Sequence, residues 1–294
     1  MATSPAGLAA ASGCAHSSYD GASGAEKAGS GRSGRSLVLS LFPGIGLLDR
    51  AFEEQGFQIV RGPDKLWGGD VRKFHAPPGV FAGVIGGPPC QVFSTASSIR
   101  GTEAVDLIPE FLRVIREAEP LWVVMENVRQ VIGHPMIPRD WNHTLLRDWD
   151  CGGETARVRA FWTWPFMVLV PSRAGGDPSK SVMATTWKRG RSDSKYVTDK
   201  GFLPGDLPVM EYARLQGAVE VGEALEAHKS SKAFSVHMLG NGVPLSMGRV
   251  IARGAHAAMP FAGGGGAEQV REDVADKPKS QNVGGEAQPP AKKL

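Results

Sequence analysis

The sequence predicts an α/β fold: a Rossmann-like, doubly wound, mostly parallel sheet with a minimal recognition segment and flexible tails. Two observations predict it. Short apolar runs typical of buried strands occur at residues 36–42, 57–60, 80–85 and 121–125. Helical patterns lie between the first two runs and between the last two, and this strand–helix–strand order is typical of a parallel sheet with helices on both faces.

The first predicted helix follows the glycine-containing turn after residue 42 and ends before Gly56. Its apolar face contains Leu47, Leu48, Ala51 and Phe52, and its polar face contains Asp49, Arg50, Glu53 and Glu54. A second helix is predicted over 106–119, where Pro120 ends it. Residues 157–170 are apolar and aromatic and predict an antiparallel hairpin or edge pair, and 245–258 predict a closing helix.

Composition bounds the class of protein. The 294 residues contain 33 Lys and Arg against 30 Asp and Glu, a formal charge of +3, which permits nucleic-acid binding without arguing for it. The hydrophobic share of 41% excludes a fully disordered chain, but residues 1–35 and 262–294 are poor in apolar residues and predict disordered tails. With no apolar run long enough for a membrane span, no signal peptide and only three cysteines, we expect a cytoplasmic protein without disulfides.

Chemically distinctive residues follow four of the predicted strands. Gly44 and Gly46 follow the first strand, Asp64 the second, Cys90 the third and Glu126 the fourth. In open α/β sheets ligands bind beyond the carboxyl ends of the strands, so we expect these groups to meet at one site.

Taken alone, the glycines fit a tight strand-to-helix turn, and Asp64 and Asp70 fit turn residues or solvated charges. Together they suit an adenosine-containing ligand, because glycines admit close approach to the backbone and a carboxylate can bind a ribose diol or an adenine amine. The third glycine of the dinucleotide fingerprint is absent, which counts against a nicotinamide dehydrogenase.

Cys90 follows two glycines and two prolines, which predict a rigid, irregular loop that presents the thiol at the sheet edge. Glu126 ends an apolar strand, where burial can raise its pKa and make it a proton donor; the alternative is a buried acid that caps the next helix. The seven histidines lack metal-ligand spacing, and we predict no metal.

The residues from 36 to 261 resemble the S-adenosylmethionine-dependent cytosine-C5 methyltransferase family, whose motifs occur here in the family's order. The resemblance rests on six segments: Leu41-Phe42-Pro43-Gly44-Ile45-Gly46, Gly87-Pro88-Pro89-Cys90-Gln91, Glu126-Asn127-Val128, Thr155-Ala156-Arg157-Val158-Arg159, Arg214-Leu215-Gln216-Gly217 and Gly240-Asn241-Gly242-Val243-Pro244. Departures include Pro43 in place of a small residue, Leu47 in place of glycine and Thr155 in place of glutamine.

The resemblance implies a class I methyltransferase fold and a DNA (cytosine-5-)-methyltransferase that flips the target base out of the duplex. It implies four catalytic residues: Cys90 as nucleophile at C6, Glu126 as the acid at N3, Arg159 at the base O2, and Arg157 supporting the loop or a phosphate. S-adenosylmethionine would contact Phe42, Gly44, Ile45, Gly46, Asp64, Asp70, Val71, Pro89 and Asn241. We assign DNA contacts to Gln91, Ser94, Lys188, Arg189, Arg191 and Arg214.

The resemblance also predicts the organisation of the chain. Residues 36–170 form the cofactor-binding and catalytic domain, 171–208 a short basic recognition region, and 209–261 a part that returns to the catalytic domain. Because the family's large recognition domain is nearly absent, we expect a short or externally assisted target sequence. A basic cluster at 187–195 fits either phosphate contacts or a solvated loop.

The partners expected are DNA and a restriction endonuclease or another protein, with the chain itself a monomer and no membrane association. Two alternatives stay open: an RNA (tRNA) cytosine-5 methyltransferase, and a non-catalytic relative that binds DNA or a partner.

Overall fold

The computed structural model describes residues 37–89, 105–188, 190 and 203–258. Within these ranges the chain forms a six-stranded sheet in the order β2-β1-β3-β4-β6-β5. The strands are β1 (Leu37–Leu41), β2 (Gln58–Arg61), β3 (Gly83–Gly86), β4 (Trp122–Asn127), β5 (Asn142–Arg147) and β6 (Val158–Trp164). Strands β1 to β4 are parallel to one another, and β6 is antiparallel to both β4 and β5.

The helices are α1 (Leu47–Glu53), α2 (Ile108–Ala118), α3 (Val209–Leu215), α4 (Val219–Ala227), α5 (Lys232–Asn241) and α6 (Leu245–Ala258). Helices α1 and α6 pack on one face of the sheet and α2 packs on the other. The predicted fold class is confirmed, because parallel strands need crossover connections and α1 and α2 supply two of them.

Strand β4 shows how one strand supports both layers. Trp122 stacks on Phe52 of α1 with ring centroids 5.7 Å apart, whereas Val123 packs with Phe111 of α2, since successive side chains leave a strand on opposite faces. A β-carbon at Gly83 of β3 would lie 2.3 Å from the Trp122 ring, so only glycine leaves room for the indole. Full burial of one such side chain stabilises the fold by roughly 1.5–3 kcal/mol.

Helices α3 and α5 form a third apolar cluster around Tyr212, Leu215, Val236 and Leu239, against which Ile45 of the glycine turn packs. The segment after the sheet is therefore anchored directly on the turn between β1 and α1. Among the helices of the described ranges, none combines the length and apolar character that a bilayer crossing requires.

One sequence expectation was met in part and another was wrong. Residues 157–170 supply one strand of an antiparallel edge pair, as expected, but no hairpin of their own, because β6 pairs with β5, upstream at Asn142–Arg147. Strand β5 is an edge strand whose side chains are mostly exposed, so it carries no apolar run that would reveal it. Asp49, assigned to the polar face of α1, is fully buried, because Ser40 Oγ and Arg61 Nε donate to its carboxylate at 2.5 and 2.8 Å.

Candidate active site

The carboxyl ends of β1, β3 and β4 open onto one cavity of about 460 Å³. Its walls come from the β1–α1 turn, the segment after β2, the ends of β3 and β4, the start of β6, and one face of α5. The predicted site residues that line it are Phe42, Gly44, Ile45, Asp64, Pro89, Glu126, Arg159 and Asn241. The fold thus brings together Gly44, Asp64 and Glu126 from three of the strand ends that the sequence singled out.

The turn between β1 and α1 is held in a glycine-dependent conformation. Gly44 and Gly46 have φ angles of 56° and 77°, a left-handed region that favours glycine. Phe42 also adopts a positive φ of 57°, which a bulky side chain rarely does. A β-carbon at Gly46 would lie 2.5 Å from Arg61 Nη2, so the turn admits no side chain there.

Asp64 joins the glycine turn to the segment after β2. Its Oδ2 accepts a hydrogen bond from the Gly44 N–H at 2.9 Å, and its Oδ1 accepts one from the Leu66 N–H at 2.7 Å. Each carboxylate oxygen has a second lone pair, so the group can still accept two further bonds from a diol in the cavity.

Asp70 and Val71 are not among the residues that line the cavity. Arg72 binds the Asp70 carboxylate through Nε at 2.9 Å and Nη2 at 2.8 Å, and these bonds lower the pKa of Asp70 to about 2. Val71 is buried in the core beneath α2. Gly46 also lies outside the lining, where it begins α1.

Glu126 forms a buried ion pair with Arg159, with Arg159 Nε 2.8 Å from Glu126 Oε1. Burial raises the pKa of the Glu126 carboxyl, while the nearby Arg159 and Arg157 cations oppose that shift. The carboxyl group faces the end of β3, because a β-carbon at Gly87 would lie 2.9 Å from Glu126 Oε2. A buried acid with a raised pKa is suited to donate a proton at neutral pH.

Asn127 fixes the segment that leads into the predicted nucleophile loop. Its Nδ2 donates to the Pro88 carbonyl at 3.1 Å, and its Oδ1 accepts from the Val128 N–H at 2.8 Å. The described segment ends at Pro89; the predicted residues Cys90, Gln91, Ser94, Arg189 and Arg191 lie outside the described residues.

Arg157 lies two residues before Arg159 but does not line the cavity. Its guanidinium is buried and donates to the backbone carbonyls of Val182 at 2.5 Å and Gly240 at 2.7 Å. Thr155, at the family's glutamine position, donates through Oγ1 to Asp148 at 2.7 Å. The two-arginine segment is therefore tied to buried polar groups on both sides of Arg157.

The remaining predicted DNA contacts lie on the surface, away from the cavity. Arg214 pairs with Glu211 at 2.8 Å and with Glu154, and both acids raise its pKa. The ammonium of Lys188 lies 5.0 Å from the Trp187 ring centroid.

Sequence reasoning missed the contribution of α5, which lines the cavity with Phe234, His237 and Met238. His237 Nε2 lies 3.0 Å from Asn241 Nδ2, one helical turn along the same face. The i, i+4 spacing from Asn241 is the signal that would have found His237. Within the described ranges, no three His, Cys, Asp or Glu side chains are grouped as a metal site requires.

Residues 65–146 match the family model C-5 cytosine-specific DNA methylase. The match covers 82 of the 294 residues, and over that segment the chain is similar to this family. The Type II methyltransferase M.NgoPII of Neisseria gonorrhoeae is 31% identical over 117 residues, which are 33% of this chain and 34% of that protein. The Type II methyltransferase M.FnuDI of Fusobacterium nucleatum is 33% identical over 113 residues, which are 32% of this chain and 33% of that protein.

These alignments span about a third of the length of the two curated methyltransferases. Among solved structures, the Dnmt2 methyltransferase of S. pombe superposes with a TM-score of 0.51 at 15% identity, covering 76% of this chain and 99% of that one. At this identity the likeness shows a shared fold alone.

Proposed function

We propose that this protein is a member of the cytosine-C5 methylase family. It transfers a methyl group from S-adenosylmethionine to C5 of a flipped-out cytosine in DNA, through a covalent bond between Cys90 and C6. The observation that carries the proposal is the single cavity where the glycine turn and Asp64 meet the buried pair of Glu126 and Arg159. One half suits an adenosine, and the other suits a polar heterocycle that gains charge during reaction.

The residues present fit the cofactor. The volume of about 460 Å³ lies in the range of small-molecule sites. A β-carbon at Gly44 would meet no atom within 4 Å, so the backbone there faces open space that a ligand can approach. Asp64 would hold the ribose hydroxyls, and Phe42, Ile45 and Asn241 would complete the walls. When bound, S-adenosylmethionine supplies an electrophilic methyl group on a sulfonium sulfur.

The chain's own residues perform the activation of the base. The Cys90 thiolate forms a bond to C6, and the electrons of the C5–C6 double bond shift toward C5 and the ring. Glu126 donates its proton to N3, which neutralises charge that develops during attack. Arg159, which pairs with Glu126, would contact the base O2. After C5 has taken the methyl group and the sulfonium sulfur has become a neutral thioether, a base removes the C5 proton and N3 returns its proton to Glu126. The C5–C6 double bond re-forms as the sulfur–C6 bond breaks, which releases the Cys90 thiolate.

A methyl-transfer assay tests the proposal. Transfer from tritiated S-adenosylmethionine is measured on duplex DNA and on tRNA, for the wild type, Cys90→Ser and Cys151→Ser. Cys151 is the matched control, because it is a free thiol buried under the sheet, with a pKa raised to about 12 by burial. We expect transfer to DNA by the wild type and Cys151→Ser and none by Cys90→Ser, with cofactor binding kept in all three.

Each other outcome has a defined meaning. Transfer by Cys90→Ser would refute the nucleophile. Transfer to tRNA and not to DNA would favour the RNA alternative, and cofactor binding without transfer to either would favour the non-catalytic one.

A further inference from the structure

We propose that Arg157, together with Gln216, is a positioning residue for the cofactor: the two side chains hold the turn after α5, which carries Asn241 into the cavity. This rests on the proposed function, since it assigns to the turn a role in binding S-adenosylmethionine. It gives Arg157 a different task from the one implied by the family motif, which groups it with the base-contacting Arg159.

The first step is the geometry of Arg157, which is 3% exposed. Its Nη2 donates to the Gly240 carbonyl at 2.7 Å and to the Gly242 carbonyl at 3.3 Å, while Nη1 donates to the Val182 carbonyl at 2.5 Å. Two of these hydrogen bonds go to the carbonyls on either side of Asn241.

Gln216 reaches the same turn from α3. It is 1% exposed, and its Nε2 donates to the Leu239 carbonyl at 2.5 Å and to the Gly242 carbonyl at 3.3 Å. Two buried donors from segments far apart in sequence therefore converge on the backbone carbonyls of residues 239, 240 and 242.

These carbonyls are the ones that a helix end leaves without partners. Helix α5 ends at Asn241, and its last four carbonyls lack intrahelical donors. The Gly242 N–H satisfies Met238, and Arg157 and Gln216 serve the next ones. A cation at a helix C-terminus is also favoured by the helix dipole. The pair acts as a side-chain cap that sets where the helix stops.

Close packing on both sides restricts the position of the turn at residues 240–242. A β-carbon at Gly240 would lie 2.2 Å from the Met183 backbone carbon, and one at Gly242 would lie 2.8 Å from Leu47 Cδ1 at the start of α1. The turn is pressed between the 183–184 segment and the helix that follows the glycine turn. Moving its carbonyls would move Asn241 relative to the cavity.

Arg157 and Arg159 are two residues apart in an extended segment, so they leave it on the same face. Arg159 contacts Glu126, and Arg157 holds the Asn241 turn. One short segment thereby links Glu126, the acid assigned to the base, to the Asn241 turn, which is assigned to the cofactor. Substitutions of the two arginines should therefore change different kinetic constants.

The test compares full-length wild type, Arg157→Lys, Gln216→Met and the control Arg147→Lys, an exposed arginine of β5. Calorimetry gives the Kd for S-adenosylmethionine, and steady-state transfer to DNA gives KM and kcat. Because lysine cannot span these carbonyls, we expect Arg157→Lys to raise Kd and KM for the cofactor about tenfold. Gln216→Met should raise them about threefold. In both, kcat at saturating cofactor stays within about twofold of wild type, and Arg147→Lys changes nothing.

A merely structural role predicts a different result: a lower melting temperature, with the Kd of the folded variants unchanged. That result, or a loss of kcat at unchanged KM, overturns the inference. If Arg157→Lys does not fold, Gln216→Met decides it alone. A wild-type chain that binds no S-adenosylmethionine refutes the proposed function and this inference together, whereas binding that both variants retain refutes the inference only.

Discussion

The two halves of the cavity are lined by different kinds of chemical group. On the side that we assign to the cofactor, the cavity is lined by backbone groups of the glycine turn and by Asp64, which two N–H donors already order. On the side that we assign to the base, Glu126 and Arg159 form a buried ion pair. Backbone groups bind through shape and fixed dipoles, whereas the Glu126 carboxyl group can take up and release a proton. Substitutions on the two sides should therefore affect different constants: the Kd for S-adenosylmethionine on the Asp64 side, and kcat on the Glu126 side.

The largest effect is expected from Glu126→Gln, which keeps the shape of the side chain and removes the proton donor. We expect kcat to fall by about 10²–10⁴-fold, the usual contribution of a positioned acid, with Kd for S-adenosylmethionine little changed. The matched control is Glu223→Gln on the exposed face of α4, which should keep full activity. A large loss of cofactor affinity in Glu126→Gln would contradict the expectation that the two sides affect different constants.

A smaller effect on the same side is expected from Gly87→Ala. The added methyl group would lie 2.9 Å from Glu126 Oε2 and must displace the carboxyl group. We expect kcat to fall about tenfold, because a misplaced acid loses much of its positioning advantage. Gly175→Ala, where no atom lies within 4 Å of the new methyl group, is the control. Equal activity of the two variants would show that Gly87 does not constrain Glu126.

On the cofactor side, Asp64→Asn tests the ordered carboxylate. Asparagine keeps one oxygen and replaces the other acceptor with a donor that opposes either the Gly44 or the Leu66 N–H. We expect Kd for S-adenosylmethionine to rise about tenfold, the cost of one or two lost charge-assisted hydrogen bonds. At saturating cofactor, kcat should return to near the wild-type value. A kcat that stays low would place Asp64 in the chemical step.

The raised pKa of Glu126 also affects stability. A carboxyl whose pKa is higher in the folded state than in the unfolded state binds extra protons when folded, so stability falls as pH rises above the unfolded value, about 4.5. Glu126→Gln lacks this penalty. Its melting temperature relative to wild type should therefore rise by a few degrees as pH increases from about 4 to 8. A difference that is constant with pH would contradict the direction of the shift.

The smallest effect is expected from Asp70→Asn, because Arg72 binds the Asp70 carboxylate and the residue does not line the cavity. Cofactor Kd should change by less than about threefold, against the larger change in Asp64→Asn. Titration calorimetry on the pair of variants measures the contrast. A tenfold loss in Asp70→Asn would mean that Asp70 reaches the ligand as the family motif implies.

Much of the fold was predictable because its signals are local. The run 36–42 and the helix after it obey the periods of a strand and a helix, and the strand-end groups Asp64 and Glu126 follow such runs directly. Strand β5 carries no comparable signal, because an exposed edge strand needs no apolar pattern. Asp49 shows the opposite error, since a buried carboxylate looks polar in sequence and only its partners Ser40 and Arg61 reveal its burial.

Most residues of the site could be predicted from the sequence, but the separate contacts of its two arginines could not. The two arginines occupy neighbouring positions of one motif, yet Arg159 meets Glu126 33 residues before it and Arg157 meets Gly240 83 residues after it. The Arg159 contact depends on the antiparallel pairing of β4 with β6, and the Arg157 contact depends on how α5 packs. No local pattern encodes either of them. The same is true of Asp70, whose partner Arg72 competes for the carboxylate that the motif assigns to adenine.

The central claim is that Cys90 bonds to a cytosine in the cavity that Glu126 and the cofactor turn share. Its most direct test is trapping with duplex DNA that contains 5-fluorocytosine, in the presence of S-adenosylmethionine, followed by digestion and mass spectrometry of the adduct. Fluorine cannot leave as a proton does, so the account predicts a stable complex with the methylated base on the peptide that contains Cys90. No adduct with DNA, or an adduct on Cys151, would contradict it.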